Sequence, residues 1–337
     1  MGKWEYTEFA NGTATSLASK RIRGNNHALM NAIPSAENVN PVGDDHSPMI
    51  HPMIHPMIQP MIQPMIHPLI RTLALPIGIA LSAGAFALVI PLWTSARGVV
   101  GPTLADSETP VFAAIATIAA FAFATVVAIG VSRVVNACVG TFVLGCGVGM
   151  LALRSGNAAD FAFGSSRLVP AAIETLVWSL LIAGASYLIF TFGGRLADIP
   201  SQDDSEIDST TGPMARRAWF AAVAGVVVAW FCAASDSKGQ AIAAATIGAF
   251  AVGFGARWIA RQTQPMFVAA AAALAFGLVA MYIAFAARGA LASGFVDGSF
   301  PRLLRLMPVD IAAGALAGSA MGFGFARSFV TPSAPDA

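Results

Sequence analysis

The chain has 337 residues, of which 56% are hydrophobic and 11% are charged, and its net charge is +1. A soluble domain carries about 25% charged residues, so this composition argues against one and favours a protein whose solvent is the lipid bilayer. Nucleic-acid binding needs a concentrated basic face, whereas the Lys and Arg residues here are scattered. We therefore expect no nucleic-acid partner.

Residues 1–70 precede the first long apolar stretch and contain a tract, starting at Pro48, in which Pro-Met-Ile followed by His or Gln recurs. Proline at every fourth position is incompatible with a regular helix, so we predict a low-complexity, disordered tail. In a polyproline helix with about 3 residues per turn, His51, His55 and His67 would not share a face. The tract is interpreted as a tether without a metal site; the alternatives are chelation of a soft divalent ion by its histidines and contact with the bilayer or another protein.

Eight apolar stretches after this tail approach the length of a membrane-spanning helix. Crossing the hydrocarbon core takes about 20 apolar residues, and a helix satisfies its own backbone hydrogen bonds there. The predicted spans cover residues 73–94, 110–131, 134–153, 168–191, 215–234, 239–259, 265–287 and 308–329.

The membrane-spanning part of the sequence contains an internal repeat. Residues 155–173 recur without a gap as residues 293–311, and residues 116–122 recur, in the same order, as residues 245–251. Such self-similarity indicates a duplicated structural unit. We predict an all-α polytopic membrane protein of two tandem four-helix repeats in the same orientation. Its parts are a tail (1–70), a first repeat (71–192), an acidic linker (193–214), a second repeat (215–330) and a disordered end (331–337).

Basic residues set the predicted orientation. More Lys and Arg fall on the side of the membrane that holds the N-terminus than on the opposite side. Since basic residues are enriched in cytoplasmic loops, this favours a cytoplasmic location for both termini. The N-terminus lacks the basic-then-apolar pattern of a cleaved signal peptide. We therefore expect insertion led by the first span, in the inner membrane of a bacterial cell.

Histidine placement excludes several membrane chemistries. A haem or an activated serine inside the bilayer would need a histidine there, and no predicted span contains one. The sequence also contains no HExxH, Walker A or CxxC motif. Cys138, Cys146 and Cys232 fall within predicted spans and are interpreted as small core residues. We expect no enzyme activity and no cofactor. All histidines precede the first span, at positions 27, 46, 51, 55 and 67.

The repeated element places acidic residues at two helix starts. Pro170 and Pro308 suit the first helical positions, where the missing N–H would have no intrahelical partner. Glu174 and Asp310 follow within about one turn, close to the positive end of the helix dipole. The charge of both carboxylates is therefore favourably placed.

Arg167 and Arg305 lie just before those helix starts, where a cation meets the dipole unfavourably. Each needs an acidic partner, a lipid phosphate or a bound anion, and Asp160 and Asp297 in the preceding loops are the candidate partners. One interpretation is a pair of entrances to a solute pathway; the other is a set of charges that anchor helices at the headgroup level. The candidate substrate-binding residues are Arg167, Glu174, Arg305, Asp310, Asp160 and Asp297.

Small residues spaced by four mark two of the predicted spans as packing helices. The last span contains Gly314, Gly318 and Gly322, and the third contains Gly145 and Gly149. Such spacing lets helix backbones approach closely in the membrane. We expect helix packing at these glycines, with a hinge or a glycine-lined pore as the alternative.

Two functions follow from this organisation. The first is a small-solute transporter or channel, with solute passing between the repeats near Glu174 and Asp310. The alternative is a non-catalytic scaffold or accessory subunit that binds helices of other membrane proteins or of itself. No predicted span carries an ionisable residue at its centre, where coupled pumps keep one. A transporter predicts water in the interior and a scaffold predicts a dry one.

Overall fold

The structure is a computed structural model that describes residues 66–164, 168–194, 196, 219–260, 264–287 and 291–330, with side chains from residue 70 onward. These residues belong to one unit, Pro60–Ala337. The predicted tail up to residue 65, most of the acidic linker and residues 331–337 lie outside the described residues.

The described residues form helices joined by loops, and the only β-type pairing recorded among them is an isolated bridge between Thr94 and Val100. The α-helices are α1 (Ile66–Val89), α2 (Pro110–Val134), α3 (Ala137–Arg154), α4 (Ala158–Phe163), α5 (Leu168–Phe192), α6 (Phe220–Cys232), α7 (Lys238–Ile259), α8 (Val268–Ala286), α9 (Leu291–Val296) and α10 (Pro308–Ala326). Short 3-10 helices cover η1 (Ile90–Trp93), η2 (Leu104–Asp106) and η3 (Arg302–Arg305).

Within the described ranges, seven helices are long and apolar enough to cross a membrane, which confirms the multi-pass membrane class. They are α1, α2, α3, α5, α7, α8 and α10. The remaining predicted span, residues 215–234, contains α6, which is apolar but only 13 residues long as described.

The first helix begins earlier than predicted, at residue 66 instead of 73, within the last proline repeat. The N–H groups of the first turn of any helix lack intrahelical acceptors, so proline is tolerated there. Pro68 falls in that turn, and Pro76 lies inside the helix. The helix therefore begins about two turns before the predicted start of the first span at residue 73.

Two short helices, α4 and α9, were not predicted. Each has 6 residues, too few to produce a span-length apolar pattern. The start of α4 is fixed by a capping box, in which Asn157 accepts from the Asp160 amide and Asp160 accepts from the Asn157 amide.

The last helix, α10, is central to the described bundle. It packs against α7, α3, α8 and α5, and 78% of its most apolar segment is buried, against 22% for α1. A Cβ on Gly145 of α3 would lie 2.6 Å from the backbone nitrogen of Ala317. A Cβ at Gly318 or Gly322 of α10 would overlap a backbone carbonyl oxygen of α7. Close backbone contact, which only small residues permit, therefore holds α10 in place.

Five hydroxyl side chains inside the spans are satisfied within their own helices, whereas the buried hydroxyls of Ser82 and Ser186 have no hydrogen-bond partner among the described residues. Thr125, Thr141, Thr175, Ser179 and Ser319 each donate to the carbonyl oxygen four residues earlier. An unpaired polar group is costly in an apolar environment, and this local bond removes that cost. These polar residues are thus compatible with a dry helix interface.

Candidate functional site

The candidate site lies at the end of the bundle formed by residues 90–109, 155–164, 233–237 and 291–307, here called the Lys238 end. The helices α2, α5, α7 and α10 begin at this end, so their dipoles present partial positive charge to it. The two carboxylates that the sequence places at helix starts, Glu174 and Asp310, are both found here and are both buried.

Asp310 forms an ion pair with Lys238 in the first turn of α10. Its side chain is fully buried, and its Oδ1 atom lies 2.8 Å from Nζ of Lys238. The Oδ2 atom accepts from the backbone amide of Met307 at 3.1 Å, which caps the helix. Asp310 therefore satisfies a helix terminus and neutralises a lysine at once.

Lys238 is the first residue of α7, where a cation meets the helix dipole unfavourably. Its side chain is only 16% exposed, and Nζ also donates to the carbonyl oxygen of Gly156 at 2.8 Å. Lys238 therefore connects the start of α7 to the start of α10 and to the loop before α4.

Glu174 is the seventh residue of α5, beyond the first turn in which it was expected, and it accepts two hydrogen bonds. Its Oε2 atom accepts from the amide of Leu104 at 2.8 Å, and Oε1 accepts from Nε1 of Trp178 at 3.4 Å. Leu104 begins η2, in the long loop between α1 and α2. The carboxylate thus attaches that loop to α5.

Backbone bonds join the two carboxylate centres. The amide of Gly156 donates to the carbonyl oxygen of Gly101 at 3.1 Å, while the carbonyl of Gly156 accepts from Lys238. Gly101 and Leu104 belong to the same loop. This loop, Gly156 and Lys238 therefore connect Glu174 to Asp310. We call Glu174, Lys238, Asp310, Gly101, Leu104 and Gly156 the polar junction.

The other candidate residues occupy different surroundings. Arg305 is half-buried in η3, and its Nη1 donates to the carbonyl oxygen of Ala234. Asp160 and Asp297 are exposed, and Asp160 accepts from the Asn157 amide at 2.9 Å. Arg167 lies outside the described residues. The structure thus brings Glu174 and Asp310 into one polar junction and gives Arg305 a backbone partner.

The packing glycines also differ among themselves. Gly314, Gly318 and Gly322 contact α7, and Gly145 contacts α10. A Cβ on Gly149 would meet no atom within 4 Å, so this residue is not at a close helix contact.

Sequence reasoning assigned Lys238 only to membrane orientation and did not connect it to Asp310. A usable signal was present, because a lysine at the first position of a helix calls for an acidic partner just as Arg167 and Arg305 do. The contributions of Leu104 and Gly156 come from backbone atoms, which leave no side-chain signature in the sequence.

The polar junction is suited to fixing helix ends relative to one another. Its carboxylates are engaged by an ion pair and by N–H donors, and a buried pair of this kind resists separation. Across the described parts of the chain, no three His, Cys, Asp or Glu side chains are grouped so that they could hold a metal ion.

Comparison with known proteins found no matching family model, no similar curated protein and no similar solved structure.

Proposed function

We propose that this multi-pass membrane protein is a non-catalytic scaffold or accessory subunit that binds helices of partner proteins within the bilayer. The observation that carries the proposal is the close packing of α10 against its neighbours. A solute pathway between the two repeats would require space at that position, and a scaffold would not.

The positions expected to be wet in a transporter are packed. Ser179, near the middle of α5, is 6% exposed and donates to the carbonyl of Thr175 at 2.9 Å. Ala317, its counterpart in α10, lies against Gly145 of α3 at backbone distance. Both midpoints are therefore filled by protein.

An apolar groove offers a surface for a partner helix. It has a volume of about 490 Å³, lies between α2 and α5, and is lined by Phe121, Thr125, Leu180, Gly184 and other apolar residues. In the bilayer, helix association depends on close packing beside small residues, and Gly184 supplies one. We propose that a transmembrane helix of a partner occupies this groove.

A duplicated architecture fits the same proposal. If α1 to α5 and α6 to α10 are the two copies, then α3 of the first packs on α10 of the second, and α8 of the second packs on α5 of the first. The repeat pairs α3 with α8 and α5 with α10, so each of these two contacts is the counterpart of the other. Parallel copies related by an axis along the membrane normal would require this. We further propose that both termini lie in the cytoplasm of a bacterial cell.

A small-solute transporter is the second candidate function. The polar junction favours it, because buried ionisable residues in membrane-spanning helices commonly mark solute or proton pathways. Glu174, Lys238 and Asp310 would then form the entrance to a pathway that opens between the repeats.

Thiol accessibility separates these two functions. In a cysteine-free background, Ser179→Cys and Ala317→Cys are tested for labelling by a membrane-impermeant reagent applied from either side, with Asp297→Cys as the exposed control. A scaffold predicts labelling of position 297 alone, in protein that remains monodisperse. Labelling of both 179 and 317 in folded protein would overturn the scaffold and establish a water-filled pathway. The side from which position 297 reacts also reports the orientation.

A further inference from the structure

The apolar groove between α2 and α5 is as long as one lipid leaflet is deep. On α2 it is lined from Ile118 to Ile129, and on α5 from Val177 to Leu188. Each stretch is about 16 Å long, at about 1.5 Å per residue of helix. The hydrocarbon of one leaflet is about 15 Å deep, half of the bilayer core. Both helices begin at the Lys238 end, so the groove lies toward the opposite end of the bundle.

Arg133 lies just beyond the groove, where α2 and α5 end. It follows Ile129 by about one turn of α2, and its Nε donates to the carbonyl oxygen of Phe192, the last residue of α5, at 2.8 Å. The two helices also meet at this level, because a Cβ at Gly193 would overlap the Cβ of Ser132. The side chain of Arg133 is exposed. A lipid with its acyl chain in the groove would therefore have its headgroup beside this guanidinium.

We propose that, in the protein without its partner helix, the groove binds one anionic phospholipid, with an acyl chain between α2 and α5 and the phosphate on Arg133. This inference goes beyond the scaffold function and does not depend on it, because it concerns the chain on its own. A partner helix that enters the groove would displace this lipid.

The lining of the groove suits an acyl chain. Phe121, Thr125 and Ala185 are buried in it, whereas Val126 and Leu180 are exposed beside them. The hydroxyl of Thr125 donates to the carbonyl oxygen of Phe121 within α2, so it does not call for a polar ligand. An empty groove would lose dispersion contacts, and a hydrocarbon chain supplies them without needing a hydrogen-bond partner.

Charge favours an anionic headgroup at this end of the bundle. Among the described residues, every acidic one lies toward the Lys238 end. The described basic residues toward the opposite end are Arg71, Arg133, Arg257 and Arg327. A guanidinium has five N–H donors and binds phosphate through two parallel hydrogen bonds, and the bond to Phe192 uses one donor of Arg133. Basic residues beside a groove between spans recognise anionic lipid headgroups in this way.

Native mass spectrometry of the purified full chain in detergent tests the proposal, with phosphatidylglycerol and phosphatidylcholine of identical acyl chains as the probes. We expect one phosphatidylglycerol to bind about fivefold more tightly than phosphatidylcholine, the factor that one basic residue near the membrane surface contributes. Arg133→Gln should abolish this preference and leave phosphatidylcholine binding unchanged. Arg154→Gln is the matched control, because Arg154 is also an exposed arginine in the last turn of a span but lies at the Lys238 end. It should keep the preference.

Gly184→Leu distinguishes a lipid in the groove from a headgroup contact alone. Its side chain would enter the groove without meeting backbone, so the variant should fold. It should bind both lipids at least about fivefold more weakly, because the leucine occupies the volume of the acyl chain. Equal binding of the two lipids by wild type, or an unchanged preference in Arg133→Gln, would overturn the proposal. Unchanged binding of both lipids by folded Gly184→Leu would overturn the placement of the acyl chain in the groove.

Discussion

The helix pairs α7/α10 and α2/α5 are counterparts in the sequence repeat but differ in how closely they pack. Gly322 of α10 lies against the backbone of Phe250 and Phe254 in α7. Its counterpart in α5 is Gly184, where a Cβ would meet no atom within 4 Å. The groove of about 490 Å³ occupies the space that close packing would have filled.

The cause is visible one and two turns earlier in the same helices. Gly314 and Gly318 of α10 correspond to Leu176 and Leu180 of α5. Both leucines are exposed, and Leu180 lines the groove. Backbone contact between helices needs small residues on successive turns. Gly184 alone, with leucines on the two preceding turns, is therefore insufficient to bring α2 and α5 into backbone contact.

This difference teaches that, of two helix pairs with similar sequences, one can be closely packed while the other leaves a groove open. The closed pair, α7/α10, fixes the central helix, and the open pair, α2/α5, leaves an apolar groove on its surface. Changes in either pair therefore separate what folding requires from what binding a partner requires.

The largest expected effect is that of Gly318→Leu in the closed pair. Its side chain would overlap the carbonyl oxygen of Thr246 and the backbone of Phe250, neither of which is a flexible side-chain end. We expect a loss of more than about 3 kcal/mol in the free energy of unfolding, or failure to fold. Denaturant unfolding and size-exclusion chromatography in detergent measure it.

Gly324→Leu is the control on the same helix, because a Cβ there meets no atom within 4 Å. It should fold and elute like wild type. Equal behaviour of Gly318→Leu and Gly324→Leu would show that α10 is not held by backbone contact with α7.

The next effect concerns the starts of the same helices. Lys238→Met leaves the buried Asp310 carboxylate without its ion-pair partner, and we expect a loss of about 3 kcal/mol in unfolding free energy. Adding Asp310→Asn to that variant should restore part of the loss, since the asparagine oxygen still caps α10. A double-mutant cycle measures the coupling; additive effects would mean that the pair is not coupled.

Glu174→Gln at the start of α5 should cost less, about 1 kcal/mol. The glutamine oxygen can still accept from the amide of Leu104, and no lysine loses an ion-pair partner, unlike at Asp310. Thermal unfolding of Glu174→Gln and of Asp310→Asn, measured under the same conditions, ranks the two losses of stability. A larger loss for Glu174→Gln would reverse this order and assign the greater constraint to α5.

The spans themselves were readily predicted because hydropathy is a local property of the sequence. Residues 168–191 were expected as a span and α5 covers Leu168–Phe192; residues 239–259 were expected and α7 covers Lys238–Ile259. Membrane helices satisfy their own backbone, so local apolar length determines where they begin and end. The six-residue helices α4 and α9 gave no such signal.

The polar junction could be predicted only in part. The helix-start rule identified Glu174 and Asp310 as favourably placed charges, and both lie at the Lys238 end. Their partners were not predicted, because Lys238 and Leu104 are far from them in sequence and meet them only after the helices pack. Helix dipoles act locally, whereas partner choice depends on the tertiary arrangement.

Gly184→Leu should have the smallest effect on the isolated protein, within about 0.5 kcal/mol of wild type. The added side chain enters the groove, where it meets no backbone, whereas Gly322→Leu in the closed pair would overlap the carbonyl of Phe250. Denaturant unfolding of the two variants in detergent checks this contrast. Equal losses would mean that α2 and α5 pack as closely as α7 and α10 do.

The same variant links the open groove to the proposed function. If a partner helix occupies the groove, Gly184→Leu should reduce the size of the complex extracted from native membranes in mild detergent, although the purified chain remains as stable as wild type. A structural role alone would lower stability and complex size together, because loss of the complex would then follow from loss of the fold. An unchanged complex in a stable Gly184→Leu variant would place the partner surface away from α2 and α5.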